Sequence, residues 1–352
     1  MVIFGGTNGT RMNDVWVLEN ATGLGGAPRW TPLLPSGSPP SAREHHTAVY
    51  DPASRRATIF GGDDGALKND VWALENATGL GGPSAWKQIL PTGTPIPARR
   101  LHSAVRDQAT DLMIVFGGPS MNDVWTLSRA SGLGGPSAWT PLYPAGVPPP
   151  RRASHTSVLR PSPDMMVVFG GWSGAPRNDV CLLENATTAG SRPWWRQLSP
   201  AGTPPSARSR HVAAYDEASD RMIMSGGNDG GIKQDVWVLE NATGAGGAPK
   251  WTQLMSGGAF YTREYHSAVF DPTSNRMVVF GGFTGVFRNN DARIVENATG
   301  LGGTPKWTAL SPSGTKPAGR DSHTAVYDLG SRRMILFGGI DGSDVSRNDV
   351  WV

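Results

Sequence analysis

Short apolar runs of about five residues, each stopped by Gly, Pro, Asn or Asp, recur along the whole chain, and no stretch holds a helical apolar period long enough to define a helix. Length and bounds make these runs β-strands, and they return in a fixed order. An apolar run such as Met277, Val278, Val279 and Phe280 ends in a pair of glycines, and a variable loop leads to an Asn-Asp-Val-Trp type segment such as 69–72. A long link then reaches Trp-x-x-Leu or Trp-x-x-Ile, and a Pro-rich turn runs into Arg-x-x-His and a strand of the type His-Thr-Ala-Val-Tyr-Asp, as at 46–51. The first glycine of each pair stands at Gly5, Gly61, Gly117, Gly170, Gly226, Gly281 and Gly338, so the repeating unit is 53–57 residues long. Trp30, Trp86, Trp139, Trp195, Trp251 and Trp307 keep step, as do the arginines and histidines of the Arg-x-x-His motif, beginning with Arg43 and His46.

Each period is therefore one four-stranded sheet, with strands counted first to fourth from the His strand. Such a sheet cannot bury both apolar faces by itself; stacking sheets radially about an axis buries them against neighbours and leaves only short edges. The chain is expected to be all-β, a β-propeller. The glycine pair after the second strand, the aromatic on the third and the Trp on the fourth resemble the blades of the kelch-repeat family over essentially the whole chain. The period exceeds the roughly 50 residues usual for that family because of the link 19–26, whose composition is similar to that of bacterial, extracellular-type kelch repeats.

The chain ends do not fall on blade boundaries. Residues 2–34 supply second, third and fourth strands, and the tail supplies a first, a second and part of a third. This predicts one propeller over 1–352 with seven blades, the first and last incomplete, at about 1–38, 39–94, 95–147, 148–203, 204–258, 259–315 and 316–352, read as a window on a longer protein. The alternative is a six-bladed ring in which 320–328 completes the first blade and 332–352 is a surplus copy competing with 2–18.

The 46 Gly and 29 Pro agree with frequent turns, and the absence of a long apolar run excludes a membrane-spanning helix. A net charge of +3 without like-charge blocks gives no support for nucleic-acid binding. The single Cys181 excludes an internal disulfide and stands where other repeats carry Trp16, Trp72 and Trp237. Scaffold roles account for Arg43, His46, Asp70, Gly61, Gly62 and Trp86: a repeated Arg-carboxylate pair, a hydrogen-bonded His, glycines that permit positive φ, and a packed indole. Six such His on a wide circle do not make a metal site, so neither metal nor cofactor is expected. Five Asn-Ala-Thr triplets, the first at Asn20, are formal glycosylation sequons that also read as turn formers.

Hairpin geometry puts the loops between second and third strands on the same face as the links between blades. On that face the repeats disagree, and divergence among duplicated loops frees them for function. Trp172, Arg210, Asn228, Asp229, Tyr265 and Phe283 are the predicted ligand-binding face. Exposed aromatics beside polar donors suit a polysaccharide or a protein partner. The expected function is a non-catalytic binding module, monomeric, of a secreted or cell-surface protein. The family resemblance also implies an enzymatic alternative, a copper-radical oxidase or a sialic-acid epimerase. The first would need a Tyr-linked Cys, and the second a Glu and Arg at the channel mouth such as Glu44, Glu264 and Arg210.

Overall fold

A computed structural model describes residues 6–7, 11–188, 190–255 and 261–340. They form six sheets built on four antiparallel strands each, two of which carry a short fifth strand in parallel, Thr92–Gly93 and Ala145–Gly146, with no helix among the described residues. The first blade is Thr47–Asp51, Arg56–Phe60, Val71–Glu75 and Ala85–Ile89; the second, Ser103–Asp107, Leu112–Gly118, Met121–Ser128 and Ala138–Leu142. The third is Thr156–Arg160, Met165–Trp172, Pro176–Glu184 and Trp194–Leu198; the fourth, Val212–Asp216, Arg221–Ser225, Val236–Glu240 and Lys250–Met255; the fifth, Ser267–Asp271, Arg276–Phe280, Ala292–Glu296 and Lys306–Leu310.

The sixth blade takes strands from both ends of the chain: Asp321–Asp328 and Arg333–Ile340 pair with Val15–Glu19 and Arg29–Leu33. Its register sets Met334 opposite Leu18, Ile335 opposite Val17 and Leu336 opposite Trp16. This overturns the seven-bladed expectation: the two incomplete blades at 1–38 and 316–352 are one blade, and the ring has six. The competition foreseen between the two ends is divided. The C-terminal copy provides the second strand and the N-terminal copy the third, while residues 1–5 and 341–352 lie outside the described residues. Residues Gly6–Thr7 and Arg11–Met12 form a two-residue hairpin pair beside that blade.

Along each second strand, alternate residues face opposite neighbours, so nearly every position is apolar. Ile59 packs toward the closing blade with Trp16 and Leu336, whereas Phe60 packs toward the second blade with Met113 and Val115. Thr58, on the latter side, is accepted because its hydroxyl donates to the carbonyl of Ala130 across the seam, at 2.7 Å. Phe60 lies 4.9 Å from Trp139 of the next blade, Phe116 5.1 Å from Trp195, Phe169 4.9 Å from Trp251 and Phe280 5.0 Å from Trp30. These ring pairs are the core of four seams.

Candidate functional site

The motif Arg-x-x-His delivers its residues to the inner end of each seam. The guanidinium of Arg43, fully buried, binds both carboxylate oxygens of Asp70 and donates to the carbonyl of Gly61 at 3.0 Å. Arg99 with Asp123, Arg152 with Asp179, Arg208 with Asp235, Arg263 with Asp291 and Arg320 with Asp14 repeat this pairing. Asp70 also accepts from the indole of Trp72, and in the third blade the Cys181 thiol makes the equivalent contact with Asp179. Burial, with Asp179 adding to it, pushes that thiol up to about 12, so Cys181 is a packing residue. Gly61 has φ +68°, and a Cβ there would lie 2.8 Å from the carbonyl oxygen of Arg99, so the first glycine is fixed both by conformation and by close approach.

Five of the six motif His reach back to a hydroxyl of the preceding blade: His46 to Thr324, His102 to Thr47, His155 to Ser103, His211 to Thr156 and His323 to Ser267. Burial and the neighbouring Arg208 lower His211 to about 3, and burial and Arg43 do the same for His46, so these rings are neutral. Among the described residues no group of three or more His, Cys, Asp or Glu is arranged around a common metal position.

One residue before each His, the chain turns left-handed. His45, Leu101, Ser154, Arg210, Tyr265 and Ser322 have φ between 53° and 62°, and each backbone N–H donates to the carbonyl of its counterpart on the preceding blade. The six bonds, 2.9 to 3.4 Å long, close a ring around the axis at the mouth of the channel. This hoop fixes the backbone and leaves the six side chains free to differ.

Outside the hoop, ion pairs tie neighbouring links and loops over part of the circumference. Arg100 pairs with Asp63 at 2.7 Å, Arg210 with Glu264 at 3.2 Å and Arg288 with Asp321 at 2.9 Å. Burial holds the Asp321 carboxyl above its ordinary range against the opposing pull of Ser322 and Arg288. Between the second, third and fourth blades no such pair crosses the face among the described residues. There a cavity of about 520 Å³ opens, walled by Trp172, Arg151, Arg210, Tyr265, Leu101, Pro119 and Ala153, with Ser120, Ser154, Ser173, Gly174 and Ser209 on its remaining surface. A smaller one of about 210 Å³ lies over the axis, beneath the hoop side chains.

Of the predicted ligand-face residues, the structure brings Trp172, Arg210 and Tyr265 to this one cavity. The Trp172 ring is half exposed, and the Arg210 guanidinium lies 4.9 Å from the centre of the Tyr265 ring. Asn228 is one step removed, donating to the Glu264 carboxylate at 2.8 Å. Asp229 is tied within its own loop to Lys233 at 3.0 Å; burial opposes its ionisation, yet bonds from Ser206 and Lys233 hold its carboxyl below the usual range. Phe283 exchanges backbone hydrogen bonds with Glu264 and faces Arg288, away from the cavity. Arg151 is not singled out by the repeats because it sits against the scaffold arginine, Arg152; the available signal is an Arg at the position where the other repeats carry Ala42, Ala98, Ala207, Thr262 and Gly319. Arg151 is exposed and makes no ion pair or hydrogen bond with a described residue. On the opposite face, the sequon amides of Asn20, Asn76, Asn241 and Asn297 donate seven residues ahead to turn carbonyls, and Thr22, Thr78 and Thr243 are buried.

A closed ring of four-stranded sheets, with a glycine pair, an Arg-Asp pair and a seam His in each period, defines a repeat propeller with a loop-built binding face. The chain belongs to the kelch-repeat family: the family described as the KLHDC2/KLHL20/DRC7 Kelch-repeats domain matches at residues 1–132, 52–259 and 247–352. It is 28% identical to host cell factor homolog hcf-1 of Caenorhabditis elegans over 67% of this chain and 34% of that protein. With Adagio protein 3 of Arabidopsis thaliana it shares 27% over 72% of this chain and 40% of that one, and with multiple epidermal growth factor-like domains protein 8 of Mus musculus 27% over 73% and 9%. The chain thus spans less than half the length of each. What the match establishes is a kelch-repeat propeller. These relatives are eukaryotic, and the bacterial character read from the long links has no counterpart among them.

Proposed function

We propose that this propeller binds an anionic segment of a partner protein in the cavity between its second, third and fourth blades. The observation that carries this reading is the composition of the wall: two arginines, one of them unpaired, flank an exposed indole and several serine hydroxyls, and no carboxylate lines the space. A cationic, partly desolvated cleft attracts carboxylates through charge-assisted hydrogen bonds, and its aromatic floor supplies apolar contact. An acidic polysaccharide is the second reading, favoured by the four serine hydroxyls around the indole, which match the density of donors and acceptors on a sugar.

The experiment is a binding screen of the intact chain against an acidic peptide library and a glycan array, followed by titration of the hits. Arg151→Glu is expected to weaken binding at least tenfold and Trp172→Ala by about 1–2 kcal/mol, each without shifting the melting temperature. Peptide hits support the first reading and acidic-glycan hits the second. Ligands that tolerate both substitutions but are lost on changing Asn241 would place binding on the opposite face.

A further inference from the structure

We propose that the seam between the fourth and fifth blades is the joint at which this ring yields, held shut by a polar clamp at the loop face in place of the inner ties that secure the other seams. At five seams the motif imidazole finds a hydroxyl one residue beyond the preceding blade's own His, at 2.8 to 3.1 Å. At this seam that position is Val212, and Nε2 of the fully enclosed His266 has no hydrogen-bond partner among the described residues. His211, in the seam before, also receives the edge of Phe169 at 5.1 Å; the residue matching Phe169 in the fourth blade is Ser225. Arg263, at the same place, holds Asp291 at 3.1 and 3.4 Å, the most extended of the six buried Arg-Asp pairs. A buried nitrogen without its hydrogen bond disfavours the closed seam, and the missing ring contact removes a term that four other seams retain.

Above this seam lies a compensating group. Arg210 of the fourth blade's link ion-pairs with Glu264 at 3.2 Å, and Asn228 of the fourth blade donates to the same carboxylate at 2.8 Å. Glu264 is buried, so its carboxylate depends on these two partners, and both reach it from across the seam. Loop ion pairs also cross the seams of Arg100 with Asp63 and Arg288 with Asp321, but there the repeated His tie is kept as well; here the loop residues act without it.

Hydrogen exchange read by mass spectrometry on the full chain tests this. The inner strands Val212–Asp216 and Ser267–Asp271 are expected to exchange faster than the inner strands at the seam between the second and third blades. Val212→Thr, which restores a hydroxyl at nearly constant volume, should slow exchange of both strands about tenfold. Glu264→Gln should speed it about tenfold while leaving the other seam unchanged; if that variant does not fold, Asn228→Ala gives the same readout. Equal protection at both seams, no slowing in Val212→Thr, or equal acceleration everywhere in the clamp variants would overturn the proposal.

Discussion

A single histidine shows how the scaffold uses polar groups. His211 is enclosed, bonded to Thr156, and lowered to about 3 by burial and then by Arg208. In the unfolded chain it titrates near 6.5, so below that pH the unfolded state binds a proton that the native state refuses. Native stability contributed by this neutral ring is present above pH 6.5 and is lost as the pH falls toward 3, by up to about 1.4 kcal/mol per pH unit. All six motif histidines are shifted downward with burial as the leading cause, so each adds to the loss of stability below pH 6.5. His211→Gln should therefore show a shallower fall of melting temperature between pH 6 and 4 than the native chain. A slope unchanged by the substitution would mean that the ring is protonated in the folded state. Residues of this kind were legible in the sequence because they repeat; Arg151 was not, because its importance comes from lacking a partner, which only the packed face shows.

Within an element, the Arg-Asp pair joins the link before the first strand to the start of the third, and so fixes the twist of the blade. Burial alone would raise the Asp70 carboxyl, but hydrogen bonds from Arg43, its charge and the Trp72 indole hold it below the usual range. Asp70→Ala would leave the Arg43 guanidinium enclosed with only carbonyl and hydroxyl partners. The expected cost is about 3–5 kcal/mol, because one partner of a buried pair is removed. Chemical denaturation of the single variant checks this, and a loss under 1 kcal/mol would place the pair in the class of exposed ion pairs. Strand identity, order and the Gly-Gly turns were all legible at this scale, since each follows from local chemistry repeated around the ring. The left-handed hoop was not: His45, Leu101, Ser154, Arg210, Tyr265 and Ser322 share no side-chain property, and what they share is a backbone bond to the next blade.

For the whole molecule, the count of blades was the part that the sequence reading got wrong, seven where the ring has six. Residues 13–16 and 348–351 are both Asn-Asp-Val-Trp, so either copy satisfies the local rules for a third strand, and only the closed ring chooses between them. In the structure the choice is made by packing: Leu336, Ile335 and Met334 join Val15, Trp16 and Leu18 in one core that also includes Ile59 of the first blade and Val278 of the fifth. The same closure places 333–340 as an internal second strand, so that segment is not a dispensable surplus copy.

Closure by the two chain ends is the claim on which the blade count and the geometry of the binding face both rest, and a cross-link tests it most directly. Leu18 and Met334 are register partners in adjacent antiparallel strands, where Cα separations of about 4.5–5.5 Å fall within the range a disulfide spans. Leu18→Cys with Met334→Cys should form an intramolecular disulfide on mild oxidation, seen as faster migration on a non-reducing gel. Leu18→Cys with Met277→Cys, which moves the second thiol to the matching position of the fifth blade, should not. A cross-link in the first variant and none in the second is the result a six-bladed ring requires; no cross-link in the first, or equal cross-linking in both, would contradict it.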